Sequence, residues 1–484
     1  MAEADRGARS PFDEMNGFGG EVRGPYADYA AALESLDLVR LAKKADLAQA
    51  FFRRKGITFN VYGDEAADER LIPFDVVPRI LGSREWRRLR RGIEQRVRAL
   101  NAFLHDIYHR QEILRARRIP EALVLHNVAF LPAMVGVDPP GGVYTHIVGV
   151  DLVRTDADEW LVLEDNARTP SGVSYMLENR EVMLRLFHEM FSSVGVEGVG
   201  DYPVHLRESL AACAPPVFHE RGEGEPTVAV LTPGQFNSAF YEHAFLADQM
   251  GVNLVEGHDL RVMDGRVKMR TTCGWEVVDV LYRRVDDDFL DPLNFNPDSQ
   301  LGVPGIFDIY RAGGITLANA PGTGIADDKA LYSYMPDIIE FYTGETPILG
   351  NVKTWRCGEA NSLAYVLEHL DELVVKQVHG SGGYGMLIGP NATTSEIAAF
   401  RDKLQADPDA YIAQPTLSLS TVPILTEAGL SPRHVDLRPY VLVGPDSIDM
   451  VPGGLTRVAL EEGSLVVNSS QGGGTKDTWV LTDD

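Results

Sequence analysis

The densest glycine cluster of the chain, Gly380-Ser381-Gly382-Gly383-Tyr384-Gly385, sits between two apolar runs, Leu373-Val-Val-Lys-Gln-Val378 and Met386-Leu-Ile-Gly389. Their length and β-branched content predict strands. Gly380, Gly382 and Gly385 satisfy G-x-G-x-x-G, but in a dinucleotide site the last glycine must open a helix. Here Pro390 ends the second run, which is too short for one. Strand, glycines, strand reads instead as a hairpin flap that folds over phosphates and offers them backbone N–H groups. Lys376 lies four residues before Gly380. It falls inside the apolar strand, where an unpaired ammonium would be costly, and it can reach phosphates beneath the flap. The alternative is a structural glycine hairpin with a surface lysine. No Gly-Lys-Ser/Thr ending occurs, which argues against a P-loop.

Phosphate chemistry calls for a divalent cation, and a second pattern offers oxygen ligands for one. Thr145-His-Ile-Val-Gly-Val-Asp151-Leu-Val and Trp160-Leu-Val-Leu-Glu164 flank the polar turn Arg154 to Glu159, predicting a hairpin. Asp151 and Glu164 then come from neighbouring strands. Glu164 and Asn166 point the same way by the period of two, and Asp165 points away. Three oxygen ligands on one face suit Mg²⁺, which keeps its other positions for water and phosphate oxygens. The alternative is a pair of exposed acids. A third group comprises Asp436-Leu-Arg438-Pro-Tyr440, Gly453-Gly-Leu-Thr-Arg457 and Asn468-Ser-Ser-Gln-Gly472. Its two arginines could hold a transferring phosphate or a substrate carboxylate.

Composition narrows the partners. With 484 residues, 45 Lys+Arg and 70 Asp+Glu, the net charge is −25. Such acidity argues against a nucleic-acid binder or a protein docked on an anionic membrane. Three scattered cysteines (Cys213, Cys273, Cys357) build neither a disulfide framework nor a C-x-x-C site. The best apolar run, Ala122 to Val137, is interrupted by His126, Asn127 and Pro132, so no transmembrane helix is expected. The first residues lack the apolar centre of a signal peptide, and the expectation is a cytoplasmic protein.

Along the chain, residues 1 to about 25 read as a mobile tail, and 26–120 as a helical region. Trp86, Leu89, Ile93, Val97, Leu100, Leu104 and Ile107 form a helical stripe. Arg87, Arg88, Arg90, Arg91, Arg96 and Arg98 lie off this stripe, as a solvated face or a site for an acidic substrate. Residues 121–165 read as strands, Val173 to Phe191 as helix, and 215–226 as a linker. Thr227 to Gly234, Ser238 to Met250 and Val252 to Glu256 make a β-α-β unit in an α/β domain spanning 227–320. Arg283 and Arg284, beside three aspartates, form a substrate clamp or an ion-paired loop. Asp327-Asp-Lys329 opens a helix in the last region, 321–484.

Together these motifs resemble the ATP-grasp superfamily of ADP-forming ligases. In that resemblance Lys329 is the first nucleotide lysine and Lys376 the second. Gly380, Ser381, Gly382, Gly383, Tyr384 and Gly385 form the flap, and Ala413-Gln414-Pro415 is the adenine hinge. Arg438, Arg457 and Asn468 follow in order. The Asp…Glu-x-Asn magnesium set, Asp151, Glu164 and Asn166, closes the motif series in the superfamily but comes first here. This order is similar to the circularly permuted ATP-grasp group related to glutathionylspermidine synthases. Thr416 to Pro423 contains no acid for a ribose contact.

The resemblance implies an α+β, α/β fold: a circularly permuted ATP-grasp domain, split between 121–214 and 321–484, with a pre-ATP-grasp α/β domain. It implies an ATP- and Mg²⁺-dependent carboxylate–amine ligase acting through an acyl phosphate on a small-molecule or peptide acid and an amine. In this reading Arg438 or Arg457 stabilises the transferring phosphoryl, and Arg168 and Ser171 contact the acyl phosphate. A homo-oligomer is compatible with it. The rival functions are a nucleotide-binding scaffold of a peptide-modification complex and a kinase-like phosphotransferase.

Overall fold

The structure is a computed structural model that describes residues 10–34, 36–59, 70–222, 224–380, 385–468 and 472–483. Its centre is a ten-stranded sheet. Ile147–Arg154 is buried at every position, and Trp160–Asn166 returns beside it as the expected antiparallel hairpin. The main path of the sheet runs Gly350–Asn351, Trp160–Asn166, Ile147–Arg154, Gly429–Arg438, Leu455–Val458, Gly474–Val480 and Phe74–Leu81. The hairpin from the first third of the chain is thus bonded to strands from its last sixty residues. Leu152 faces Leu437, and Gly149 faces Tyr440. Phe74–Leu81 runs parallel to Gly474–Val480 at the far edge. This connectivity is what a circularly permuted sheet requires.

Among the described residues there are four further sheets, and two of them bear on the site. Trp355–Arg356, Tyr411–Pro415, Leu373–Gln377 and Leu387–Ile388 form an antiparallel sheet with its own small core of Val375, Leu387, Phe400, Leu404 and Ala413. Val374 pairs with Ile388, so the glycine cluster does join two antiparallel strands. Four parallel strands, Thr316–Ala318, Val280–Arg283, Val228–Leu231 and Asn253–Val255, form the α/β sheet. Helix Phe240–Met250 supplies its first crossover.

Several elements differ from expectation. The segment from Phe12 onward is no free tail. Phe12, Met15 and Tyr26 are buried, and Glu14 is fully enclosed between Arg79, Ser420 and Arg154. Apolar anchors scattered over so short a segment carry no periodicity to reveal this. The region 26–120 holds a strand, Phe74–Leu81, beside its helices. Residues 121–146 form short helical turns, Glu121–Leu125, Pro132–Met134 and Pro140–Gly142, instead of strands. Prolines at 120, 132, 139 and 140 remove ladder donors and break the run. The expected linker carries helix Pro216–Arg221, whose Arg221 meets Asp279 at 3.2 Å. Arg283 and Arg284 are both buried, and Arg284 also lines the larger cavity described below. Arg283 donates to the Asn319, Val285 and Ala320 carbonyls, and Arg284 to Pro170 and Glu242. Among the described residues no helix is long and apolar enough to cross a membrane.

The enclosed Glu14 generates a stability prediction. Burial opposes its ionisation, but Arg79 and Arg154 outweigh burial and hold the carboxyl down at about 2, against an ordinary 4.5. A depressed pKa contributes stability that is present above the unfolded value and lost as pH falls through the folded one. Stability should therefore decline between pH 4.5 and 2 as this group protonates. Glu14→Gln strands the buried Arg79 and should cost about 3–5 kcal/mol in denaturant unfolding at neutral pH. A loss below about 1 kcal/mol would show that the pair is not holding the segment in place.

Candidate active site

The hairpin register sets the site. Asp151 pairs with Glu164 and Gly149 with Asn166, with a register shift directly after Asp151. The two carboxylates thus come from directly paired positions of the hairpin. Asp165, on the opposite face, accepts from Nε and Nη2 of Arg96 at 2.6 Å each. Arg96 is therefore a buried structural cation. Arg90 pairs with Glu94, and Arg87 with Asp483. Among the described residues none of the helix arginines lines the cleft, which favours the solvated face over the substrate site. Gly149 has a steric reason to be glycine, because a Cβ there would come within 3.3 Å of Arg438 Cδ and Pro170 Cβ.

Asp151 is fully buried and lies between two arginines. Arg438 donates to both of its oxygens, and Arg457 Nη2 donates to Oδ2 at 2.7 Å. Arg457 also grips Asp436. Burial alone would raise Asp151, but Arg438 and then Arg457 outweigh it and hold its carboxyl below the usual carboxylate range. Burial pushes Asp436 upward against Arg457, so it is the more reluctant of the two to ionise.

On the other side of the cleft, Lys376 Nζ donates to Gln414 Oε1 at 2.8 Å, and Gln414 Nε2 donates to Thr354 Oγ1 at 3.0 Å. Burial holds Lys376 below its ordinary value, and Glu164 offsets only part of that shift. Lys329 follows Asp328, whose carboxylate caps the short helix by accepting from the Ala330 and Leu331 N–H groups. Its Nζ donates to the Gly380 carbonyl at 2.6 Å and stands 3.6 Å from Glu164.

These groups line two adjoining cavities. One, of about 180 Å³, has an apolar wall that includes Leu163, Val352, Val374, Met386, Ile388 and Leu417. Asp151, Lys376, Gln414, Pro415 and Asp436 also line it. The other, of about 500 Å³, is polar and includes Asn166, Arg168, Ser171, Asp286, Asp327 and Arg438. Glu164, Lys329, Gly380, Arg457 and Asn468 line both. Residues 151 to 166 and 329 to 468 thus meet at one junction. Gly385 turns with φ of 70° outside the lining. Ser381, Gly382, Gly383 and Tyr384 lie outside the described residues.

Sequence reasoning missed Thr354, which steadies Gln414, and Asp327. Asp327 accepts from the Ala167 and Arg168 backbone N–H groups, and Arg168 Nε lies 3.9 Å from it. Burial pushes Asp327 up to about 7. No spacing rule distinguishes it from Asp328 beside it.

Comparison with known proteins identifies the architecture. Residues 78–459 match the family model of circularly permuted ATP-grasp type 2 proteins. The chain belongs to this family. A Synechocystis protein is 51% identical over 97% of both chains. A Frankia alni protein, provisionally named a glutamate–cysteine ligase, is 43% identical over 97% of this chain but only 54% of its own length. The apo structure of a glutathione synthetase-like effector from Globodera pallida superposes with a TM-score of 0.59 at 12% identity. It covers 92% of this chain and 98% of its own, a likeness of fold. In this ATP-grasp chain the permutation accounts for the order of the motifs around the junction.

Asp327 gives a pH test. A carboxyl raised in the folded state stabilises it below the unfolded pKa, and that contribution is lost as pH rises through the folded value. Wild-type stability should therefore carry a component that falls between about pH 4 and 7. Asp327→Asn, which cannot ionise, should lack it. Equal pH slopes for the two proteins in urea unfolding would show that Asp327 ionises normally.

Proposed function

We propose that this protein is an ATP-dependent, ADP-forming carboxylate–amine ligase. The observation that carries the reading is the pair of cavities joined at Glu164, Lys329, Gly380, Arg457 and Asn468. The apolar cavity takes the adenine against Leu163, Val352 and Leu417, with Gln414 and Pro415 at its edge. Lys329 and Lys376 hold the phosphates, and the terminal phosphate reaches the junction. The polar cavity takes the acid and the amine.

The donor set fits Mg²⁺. Asp151, Glu164 and Asn166 would hold it through two carboxylates and a neutral amide oxygen, with Asp151 opened to the ion as Arg438 and Arg457 turn from it to phosphate. Bound there, Mg²⁺ would neutralise charge on the phosphate oxygens. The chain's own groups do the rest. Arg438 and Arg457, now bonded to Asp151, supply N–H donors to the phosphoryl group as it transfers. A substrate carboxylate oxygen attacks the γ-phosphorus, the bond to the bridging oxygen breaks, and ADP leaves. Arg168 and Ser171 steady the acyl phosphate. The amine attacks its carbonyl carbon, phosphate departs, and Asp327 accepts the proton released, a task suited to a carboxyl near pH 7. The provisional glutamate–cysteine ligase name of the Frankia relative supports an amino-acid-like acid and amine.

Incubation with ATP, Mg²⁺ and pooled acids and amines should release ADP and phosphate only when both partners are present. AMP release, or a phosphorylated product that persists after amine is added, would contradict the ligase reading. Lys376→Ala should keep its fold and lose about 10²–10³ in turnover. Wild-type turnover and ATP affinity in that variant would remove the lysine assignment. Glu164→Gln should raise the Mg²⁺ concentration needed for half-maximal rate, and an unchanged requirement would remove Glu164 from the metal set.

A further inference from the structure

A second group of ligating side chains lies at the end of helix Ser83–Tyr108, and none of its members lines either cavity. His105 is in the last turn and His109 is the C-cap. Four residues apart, they share one face. Their rings stack with centroids 4.3 Å apart and planes within 9°, so the exposed His105 ring must turn about its side-chain torsions for both nitrogens to meet one ion. Asp138 faces them from a loop held by the Gly136 N–H donating to the Tyr108 carbonyl at 2.8 Å, and stiffened by Pro139 and Pro140. One ligand atom from each residue falls within 4.8 Å of the others. Asp138 Oδ1 is 3.0 Å from His109 Nε2 and 3.9 Å from His105 Nε2. A tetrahedral Zn²⁺ with bonds of about 2.0–2.1 Å sets its donors roughly 3.4 Å apart, and the two separations bracket that edge.

The hydrogen bonding of His109 sharpens the case. Its Nδ1 lies 2.8 Å from the His105 carbonyl. A carbonyl only accepts, so Nδ1 carries the hydrogen. In the neutral ring Nε2 then turns a lone pair toward a carboxylate oxygen, and among the described residues it has no hydrogen-bond partner. A proton or a cation must lie between them for the contact to be favourable. The Nδ1–H to carbonyl bond is also the support that orients a metal-ligating histidine.

We propose that His105, His109 and Asp138 bind a divalent transition-metal ion of the Zn²⁺ class through two imidazole nitrogens and one carboxylate oxygen. The fourth position faces solvent, because His105 and Asp138 are 54% and 80% exposed. Two nitrogen donors disfavour Mg²⁺, which prefers an octahedron of oxygens. The ion would tie the end of the helix to the 135–140 loop.

The test uses the full chain, stripped with EDTA and titrated with Zn²⁺ by calorimetry near pH 7.5, where imidazole is largely neutral. One equivalent should bind, and that binding should disappear in His109→Ala and in Asp138→Asn, a change at an exposed side chain that disturbs no packing. It should persist in Glu164→Gln, which separates it from the cleft. Loading with Co²⁺ should give the visible absorption of a four-coordinate ion in wild type and not in His109→Ala. If wild type binds no Zn²⁺ equivalent that His109→Ala loses, the cluster is an ion pair only and the proposal fails.

Discussion

Asp151 accepts hydrogen bonds from Arg438 and Arg457, which follow it by 287 and 306 residues. A carboxylate buried this completely is tolerable only when its charge is met directly, and removing either arginine would leave it short. The same contact fastens the Ile147–Asn166 hairpin to strands Gly429–Arg438 and Leu455–Val458. Through the hairpin register it fixes Glu164, and through the sheet it fixes both arginines at the mouth of the second cavity. The geometry of the junction follows from this one three-sided ion pair.

It also explains how so acidic a chain can hold a polyanion. Lys329, Lys376, Arg438 and Arg457 line the two cavities beside Asp151, Glu164 and Asp436, which gathers cations at one place in a protein of net charge −25. The arginines rest on Asp151, so incoming phosphates would compete for donors that are already ordered, a form of preorganisation. The chain Lys376–Gln414–Thr354 similarly ties the lysine strand to the hinge strand.

The hairpin, the two strands on either side of the glycine cluster and the β-α-β unit were legible because each rests on a local rule: alternation, glycine punctuation or a crossover. The pairing of Asp151 with Glu164 followed from strand spacing, and the permutation followed from motif order. Other features depend on distant partners. Glu14 is held by Arg79 and Ser420, which no local pattern connects to it. The arginines at 87 to 98 looked like one face until Arg96 proved to serve Asp165 across the sheet. The run Ala122 to Val137 is apolar enough for a strand, but Pro132 and Asn127 turn it into short helical segments. Asp327 differs from Asp328 through its partners: it accepts from the Ala167 and Arg168 backbone, whereas Asp328 caps the helix that follows it.

The central claim is that strands far apart in sequence act as one nucleotide cleft. Hydrogen exchange measured by mass spectrometry, with and without a non-hydrolysable ATP analogue and Mg²⁺, addresses it directly. Bound nucleotide should slow exchange in peptides covering 160–168 and in those covering 373–388 and 411–419 at the same ligand concentration. Protection confined to 373–419, with 160–168 unchanged, would contradict a shared cleft and the ligase mechanism built on it.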